Sequence, residues 1–184
     1  MCEREMTNIV VRIRDSSQWP SFENASHLSD LDTLADVANG LGTLEGYLAA
    51  LAIYHQLCDE MAKLLVKDSE FFIQLSCYPT DIYFPKPKQQ MAGQVLSQLE
   101  FAVEFEGKTE FIEKCRVMNS LRNNVFHNLT KQTSLAELKG KLSQISKLYE
   151  DIFELFSTSH DWFRICFKDF QKDVFLDEIE DENT

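Results

Sequence analysis

Apolar residues recur every three or four positions along most of this chain, the spacing of side chains on one face of an α-helix. The pattern is longest from Thr43 to about Leu75. It is equally regular from Ser134 to Phe156, where Ser134 opens a capping box with Glu137. The sequence therefore predicts an all-α protein with at least two long helices.

Shorter runs of the same pattern predict four further helices, at residues 28–39, 91–105, 109–129 and 161–170. Ser29 and Thr33 offer N-terminal caps to the first of these, and Gly107 ends the second. Ser157–Ser159 separates the last helix from the helix before it. Because four or five of the helices carry bundle-type seams, we expect a four- to five-helix bundle.

The length of 184 residues suits one domain. We place a helical bundle domain at residues 31–173, after an irregular N-terminal segment at 1–30 and before an acidic C-terminal tail at 174–184. Residues 9–13 fit either a short strand or the start of a helix, while residues 16–29 read as a loop. The 4 Pro and 6 Gly are too few for a turn-rich sandwich or barrel.

Five cysteines are scattered along the chain without the paired spacing of a zinc site, so we expect free thiols, no metal and no cofactor. No uncharged stretch approaches the length of a membrane span, so no membrane partner is expected. The N-terminal residues lack the apolar core of a signal peptide. These features predict a cytoplasmic protein.

The formal net charge is −12, which argues against a general nucleic-acid coat. The charge is uneven, however. Residues 108–147 carry eight Lys and Arg against three Glu, a local balance of +5 that leaves −17 on the rest of the chain. A solvent-exposed helix face without any ligand can carry the same excess of basic residues. The basic block alone therefore does not predict RNA binding.

Arg122 and His127 lie inside this basic block, near the end of the helix predicted at residues 109–129, and Asn123 follows the arginine directly. An arginine stays charged and presents a fork of N–H donors that suits a phosphate. A histidine titrates near neutral pH and can move a proton. Because metal-independent RNA cleavage needs both roles, we predict Arg122 and His127 as catalytic residues and Asn123 as a supporting residue.

The stretch from Arg122 to His127 resembles the Arg-Asn-x-x-x-His signature of HEPN domains. The resemblance covers this motif and the helical architecture, not the whole chain. It implies a HEPN-like fold, a homodimer and a metal-independent endoribonuclease, with toxin and phage-defence roles and an antitoxin or regulatory partner among the expectations. In some HEPN toxins an antitoxin modifies a tyrosine two residues after the histidine. Here that position is Leu129, so such a modification is not expected.

Helix geometry separates the two predicted catalytic side chains. Five residues along an ideal helix correspond to a rotation of about 140° beyond a full turn and a rise of about 7.5 Å. Arg122 should project beside Met118 and Val125, and His127 nearly opposite. We therefore expect a composite site in which two copies of the motif meet across a two-fold interface.

The sequence also allows interpretations in which Arg122 and His127 are not catalytic. Arg122 could form a core ion pair with a carboxylate such as Glu60 or Glu100, and an exposed histidine near a helix C-terminus is favoured by the helix dipole. The chain would then be a non-catalytic HEPN-like interaction module. A third interpretation is an adaptor or antitoxin that binds a basic partner through its acidic tail.

The remaining histidines and aromatic residues fit structural roles. His55 lies beside the seam of the long helix, and His160 precedes Asp161 and could cap the last helix. Trp162 and its neighbours Phe163 and Phe167 are expected to pack in the core rather than to stack on bases.

Overall fold

The described part of the chain has no regular secondary structure other than helices. A computed structural model of the protein describes residues 9–80, 82–84, 91–131 and 134–172. No β-strand occurs among these residues, which confirms the prediction of an all-α protein. The predicted acidic tail at 174–184 lies outside them. In the described ranges, six α-helices follow a short helical stretch at residues 9–14: α1 (Ala25–Gly40), α2 (Leu44–Ser76), α3 (Ala92–Glu100), α4 (Lys108–Asn128), α5 (Leu135–Leu142) and α6 (Ile145–Lys172).

Helix α2 is the central element, and its 33 residues contact all five other helices. Thr43 caps its N-terminus, because the side-chain oxygen of Thr43 accepts a hydrogen bond from the backbone N–H of Gly46 at 3.1 Å. The predicted seam from Leu51 to Leu75 faces the core, with Phe72 half-buried and its other apolar residues buried, so the prediction of this helix is confirmed. None of the described helices, α2 included, has an apolar stretch long enough to cross a membrane.

The break in the last helical region is not where the sequence predicts it. The pattern favours one helix from Ser134 to Phe156 and a break at Ser157–Ser159. The structure instead breaks the helix at Ser143 and Gln144, between α5 and α6. Helix α6 then continues through the predicted break as far as Lys172, so the separate final helix at residues 161–170 is part of it.

Side-chain hydrogen bonds explain both parts of this correction. Thr158 Oγ1 donates to the carbonyl of Glu154 at 3.1 Å, so this hydroxyl bonds within the helix instead of ending it. Ser159 Oγ lies 2.8 Å from the Leu155 carbonyl and 2.9 Å from the Glu106 carbonyl, which ties α6 to the start of α4. At the real break, Ser143 Oγ donates to the Gly140 carbonyl at 2.8 Å.

The chain before α1 is more regular than predicted. Residues 9–14 are helical, which decides between the strand and the helix left open at 9–13. Ile13 and Trp19 are both buried in the core, and Trp19 Nε1 donates to the Ile13 carbonyl at 3.1 Å. A wholly irregular segment at 1–30 is therefore not what the described residues form.

Helix α1 begins at Ala25, three residues before the predicted start. Ser29 and Thr33 do not cap it, because both lie inside the helix. Thr33 Oγ1 donates to the carbonyl of Ser29 at 3.0 Å, one turn earlier. Asn24 occupies the N-cap position without a side-chain capping bond.

Helix α3 is shorter than predicted, ending at Glu100 instead of Phe105. The backbone N–H of Val103 donates to the hydroxyl of Ser69 on α2 at 3.3 Å, so it does not continue the hydrogen-bond pattern of the helix. Gly107 does not end α3. It has a φ of 78° and occupies the N-cap position of α4, a left-handed conformation that favours glycine.

The aromatic residues fill the space between α2 and α6, as expected from the sequence. Phe71 on α2 meets Phe167 on α6 edge to face, with ring centroids 4.9 Å apart. Phe163 is also fully buried, and Trp162 packs against Phe72 at 5.6 Å between ring centroids. The prediction that these residues pack in the core is confirmed.

Asp68 is a fully buried carboxylate on α2, and it explains the position of His160. His160 lies within α6, so it does not cap a helix. Its Nδ1 is 2.7 Å from Asp68 Oδ2, and its Nε2 is 3.1 Å from Arg164 Nε. Because arginine can only donate, Nε2 accepts and the Nδ1 proton is donated to Asp68. Arg164 also donates to the carbonyl of Pro20, which fastens the N-terminal segment to α6.

Candidate functional site

Helix α4 carries the arginine and histidine of the motif. It begins at Lys108 and ends at Asn128, where a short 3-10 turn, Leu129–Lys131, takes over. The helix forms here because apolar residues of its inner face pack on the bundle, as the sequence predicts. The buried residues of this face are Phe111, Ile112, Cys115, Met118 and Val125.

Arg122 is half-buried, and its guanidinium is held by its own helix. Nη1 of Arg122 donates to Asn123 Oδ1 at 3.0 Å, and the guanidinium carbon lies 5.6 Å from the centre of the Phe126 ring. Neither contact neutralises the positive charge. A guanidinium has five N–H donors, so most of them stay available for a further acceptor.

The carboxylates proposed as alternative partners for Arg122 bind other cations. Glu60 Oε1 lies 2.7 Å from Lys63 Nζ, and Glu100 Oε2 lies 2.6 Å from Arg116 Nη2. Within the described ranges, no carboxylate comes within ion-pair distance of Arg122. The core ion pair weighed from the sequence is therefore not formed with either of these residues.

Asn123 connects the arginine to the rest of α4. Its Oδ1 accepts from Arg122, and its Nδ2 faces Asn119 Oδ1 at 3.5 Å, one turn earlier. A supporting amide at this position, four residues before His127, could reach the imidazole or a phosphate bound by Arg122. In the structure the amide is engaged with Arg122 and Asn119 instead.

His127 lies in the last turn of α4 with an exposed side chain. Among the described residues it has no hydrogen bond or ion pair. A histidine at this end of a helix is favoured by the helix dipole when it is protonated. The imidazole is thus accessible to a ligand or to another copy of the chain.

Arg122 and His127 are not brought together within one chain. Helix α4 continues through both residues to Asn128, and five positions along a helix set two side chains about 140° apart. One side chain is half-buried and the other is exposed. A single copy therefore presents a guanidinium and an imidazole on different sides of one helix.

Two further polar residues belong to this region: Asn119, which was not singled out in the sequence, and His55, which was expected to have a structural role. His55 Nε2 on α2 lies 3.0 Å from Asn119 Oδ1 on α4. Asn119 lies one helical turn before Asn123, and this spacing was the sequence signal that could have identified Asn119. Nothing in the sequence marks His55 as the residue of α2 that faces them, since this depends on how α2 and α4 pack.

The cations of the basic block divide into two groups. Lys108, Lys114, Arg116 and Lys147 form ion pairs with carboxylates, two of them with Asp151. The remaining four have no ion pair among the residues that the structure describes: Arg122, Lys131, Lys139 and Lys141. Positive charge that is not locally compensated is therefore concentrated around the end of α4 and on α5.

A cavity of about 360 Å³ opens elsewhere, between α1 and α6. Its walls carry four carboxylates, from Asp32, Asp36, Glu150 and Glu154. Negative charge of this density repels a phosphate. The cavity is therefore unsuited to RNA, and the motif on α4 remains the better candidate for a phosphate site.

Two of the described cysteines lie buried inside the bundle. Cys58 on α2 and Cys115 on α4 are both buried free thiols. Their mutual hydrogen bond and burial raise the pKa of Cys58 well above its ordinary value, which makes this thiol a poor nucleophile. Across the described part of the chain, no group of three or more His, Cys, Asp or Glu residues is arranged to hold a metal ion.

No protein-family model matches this chain, and neither the curated proteins nor the solved structures contain a significant match. The resemblance to HEPN domains therefore rests on Arg122 to His127 and on the helical architecture.

Proposed function

We propose that this protein is a HEPN-like, metal-independent endoribonuclease that acts as a homodimer. The observation that carries the proposal is the state of Arg122, a half-buried guanidinium on α4 with no carboxylate partner among the described residues. An uncompensated, oriented guanidinium suits the charge of a phosphodiester. The exposed His127 on the same helix supplies a group that can move a proton.

The proposed reaction is an internal transfer at phosphorus. A base removes the proton of a ribose 2′-hydroxyl, the 2′-oxygen bonds to phosphorus, and the bond from phosphorus to the 5′-oxygen breaks. The leaving 5′-oxygen takes up a proton, so the products are a 2′,3′-cyclic phosphate and a 5′-hydroxyl. His127 serves in proton transfer, and Arg122 stabilises the negative charge on the phosphoryl oxygens.

The separation of the two side chains supports the dimeric part of the proposal. Arg122 and His127 of one copy point away from each other, so one copy alone does not surround a phosphate. A two-fold interface along α4 would place the His127 of one protomer beside the Arg122 of its partner. Phe126 and Leu129, which are 41% and 38% exposed, are apolar residues of this region that such an interface would cover.

The second candidate is a non-catalytic HEPN-like interaction module. The same separation of Arg122 and His127 favours it, because a chain that does not dimerise along α4 has no complete site. Toxin or phage-defence activity and control by an antitoxin or another regulatory protein are extensions of the first proposal and depend on it.

The test is RNA cleavage by purified protein with EDTA present. We expect the wild-type protein to cleave RNA under these conditions, and Arg122→Ala and His127→Ala each to abolish cleavage while far-UV circular dichroism stays unchanged. Arg116→Ala is a matched control, because Arg116 is an arginine of the same helix that lies outside the motif and is already paired with Glu100. Full activity of His127→Ala, or complete loss of wild-type activity in EDTA, would exclude this mechanism.

A further inference from the structure

A line of polar side chains runs from the central helix α2 to the guanidinium of Arg122. His55 Nε2 lies 3.0 Å from Asn119 Oδ1. The same oxygen lies 3.5 Å from Asn123 Nδ2, the longest link of the line. Asn123 Oδ1 in turn lies 3.0 Å from Arg122 Nη1. The guanidinium of Arg122 is thus linked to α2 through Asn123, Asn119 and His55.

The arginine determines the direction of every hydrogen bond in this line. A guanidinium has donors only, so Asn123 must present its oxygen to Arg122 and its NH₂ group to Asn119. Asn119 must then present its oxygen to both neighbours. His55 therefore donates from Nε2, and its proton is fixed on that nitrogen when the ring is neutral.

We propose that His55 is a positioning residue for Arg122 and acts through Asn119 and Asn123. Arginine side chains lose much rotational freedom when they are held in one orientation, and a site that binds phosphate works best when that freedom is removed beforehand. The half-buried His55 stands on the most extensively packed helix of the fold. It anchors Asn119, and through Asn123 it orients the guanidinium.

The effect of His55 on RNA cleavage rests on the proposed function, whereas its effect on Arg122 does not. The inference is therefore tested both with and without RNA cleavage. A measurement that needs no cleavage is the tautomer of His55, read from the ¹⁵N shifts of its ring at pH 8.5, where an ordinary histidine is neutral. We expect the proton on Nε2. A proton on Nδ1 would reverse the line and overturn the inference.

Two substitutions of His55 form a matched pair. A glutamine amide nitrogen occupies nearly the position of histidine Nε2, whereas an asparagine amide reaches only as far as Nδ1. His55→Gln keeps the donor toward Asn119, and His55→Asn loses it. We expect His55→Asn to lower the single-turnover cleavage rate about fivefold, the usual effect of one neutral hydrogen bond, and His55→Gln to rescue most of that loss.

A double-mutant comparison separates positioning from a general loss of stability. In the Asn123→Ala background the line is already cut, so His55→Asn should have no further effect on the cleavage rate. A second fivefold loss in that background would overturn the inference. So would an equal loss in His55→Gln and His55→Asn in the otherwise wild-type chain.

If the wild-type protein does not cleave RNA, the proposed function fails and the positioning role is still measurable. The exchange of the Arg122 guanidinium protons with water, followed by NMR, should be faster in His55→Asn than in wild type and restored in His55→Gln. Equal exchange in all three proteins would show that His55 does not hold Arg122.

Discussion

Asn123 is the residue through which Arg122 is joined to its surroundings. Its amide carries two hydrogen bonds, one from Arg122 and one to Asn119. An amide cannot act as an acid or base near neutral pH, so its part in any reaction is orientation or phosphate binding. Under the proposed function, Asn123 should therefore matter less than Arg122 and His127 and more than a surface residue.

Asn123→Ala should weaken RNA cleavage much less than His127→Ala does. The loss of one neutral hydrogen bond costs about 1 kcal/mol, which corresponds to about fivefold in rate. The measurement is a single-turnover assay on one RNA, with equal dimerisation of all proteins checked first. An Asn123→Ala protein as inactive as His127→Ala would contradict the supporting role.

Asp68 supplies a second prediction at the level of single residues. Burial raises the pKa of Asp68 above its ordinary value of 3.8, and the bond to His160 and the charge of Arg164 oppose this only in part. The folded state therefore holds the Asp68 proton more tightly than the unfolded state does. The contribution of Asp68 to stability is complete below about pH 4 and is lost as the pH rises above that value.

Comparison of wild type with Asp68→Asn isolates this contribution, because other titrating groups cancel in the difference. We expect the free energy of unfolding of wild type, relative to Asp68→Asn, to fall as the pH rises from 4 to 7. Urea denaturation at four or five pH values gives the difference. A relative stability that rises with pH would mean that His160 and Arg164 outweigh burial.

At the level of helices, α2 was predictable, because its apolar period is interrupted only at Asp68. The break at Ser143 was not predictable, because the apolar pattern runs through it without interruption. The run Ser157–Ser159 looks like a helix end in the sequence, and only the tertiary fold shows that Ser159 bonds to Glu106 while α6 continues. At such positions tertiary packing overrides the local preference of the sequence for ending a helix.

The crossing of α1 and α2 gives a prediction of its own. A Cβ atom added at Gly46 would overlap the carbonyl oxygen of Ala38 on α1, whereas one added at Gly140 on α5 would meet nothing within 4 Å. Gly46→Ala should therefore destabilise the protein by about 1–3 kcal/mol. Gly140→Ala should stabilise it by up to about 1 kcal/mol, because alanine favours helix interiors.

Urea denaturation of these two variants checks the close approach of α1 to α2. Gly140→Ala is the control, since it makes the same change of side chain in an open part of a helix. Equal stability changes in both variants would show that the helices do not touch at Gly46.

For the molecule as a whole, the sequence identified Arg122, Asn123 and His127 as candidate residues, but it did not give their surroundings. His55 reaches Asn119 only because α4 packs on α2. Likewise, the net charge of the basic block was countable from the sequence, but its pairing was not. Asp151 on α6 pairs with Lys114 and Lys147, so the cations left without an ion pair in the described part of this block lie at the end of α4 and on α5.

The central claim is a site shared between two copies of the chain, and mixed dimers test it most directly. Arg122→Ala and His127→Ala proteins, each carrying a different affinity tag, are unfolded, refolded together and purified through both tags. Each mixed dimer keeps one Arg122 and one His127, on different protomers. Sedimentation equilibrium first establishes that the preparation is dimeric.

We expect each parent protein to be inactive and the mixed dimer to regain RNA cleavage in EDTA. Recovery follows because the intact Arg122 of one protomer faces the intact His127 of the other. A purified mixed dimer as inactive as its parents, or a chain that stays monomeric at micromolar concentration, would contradict the composite site.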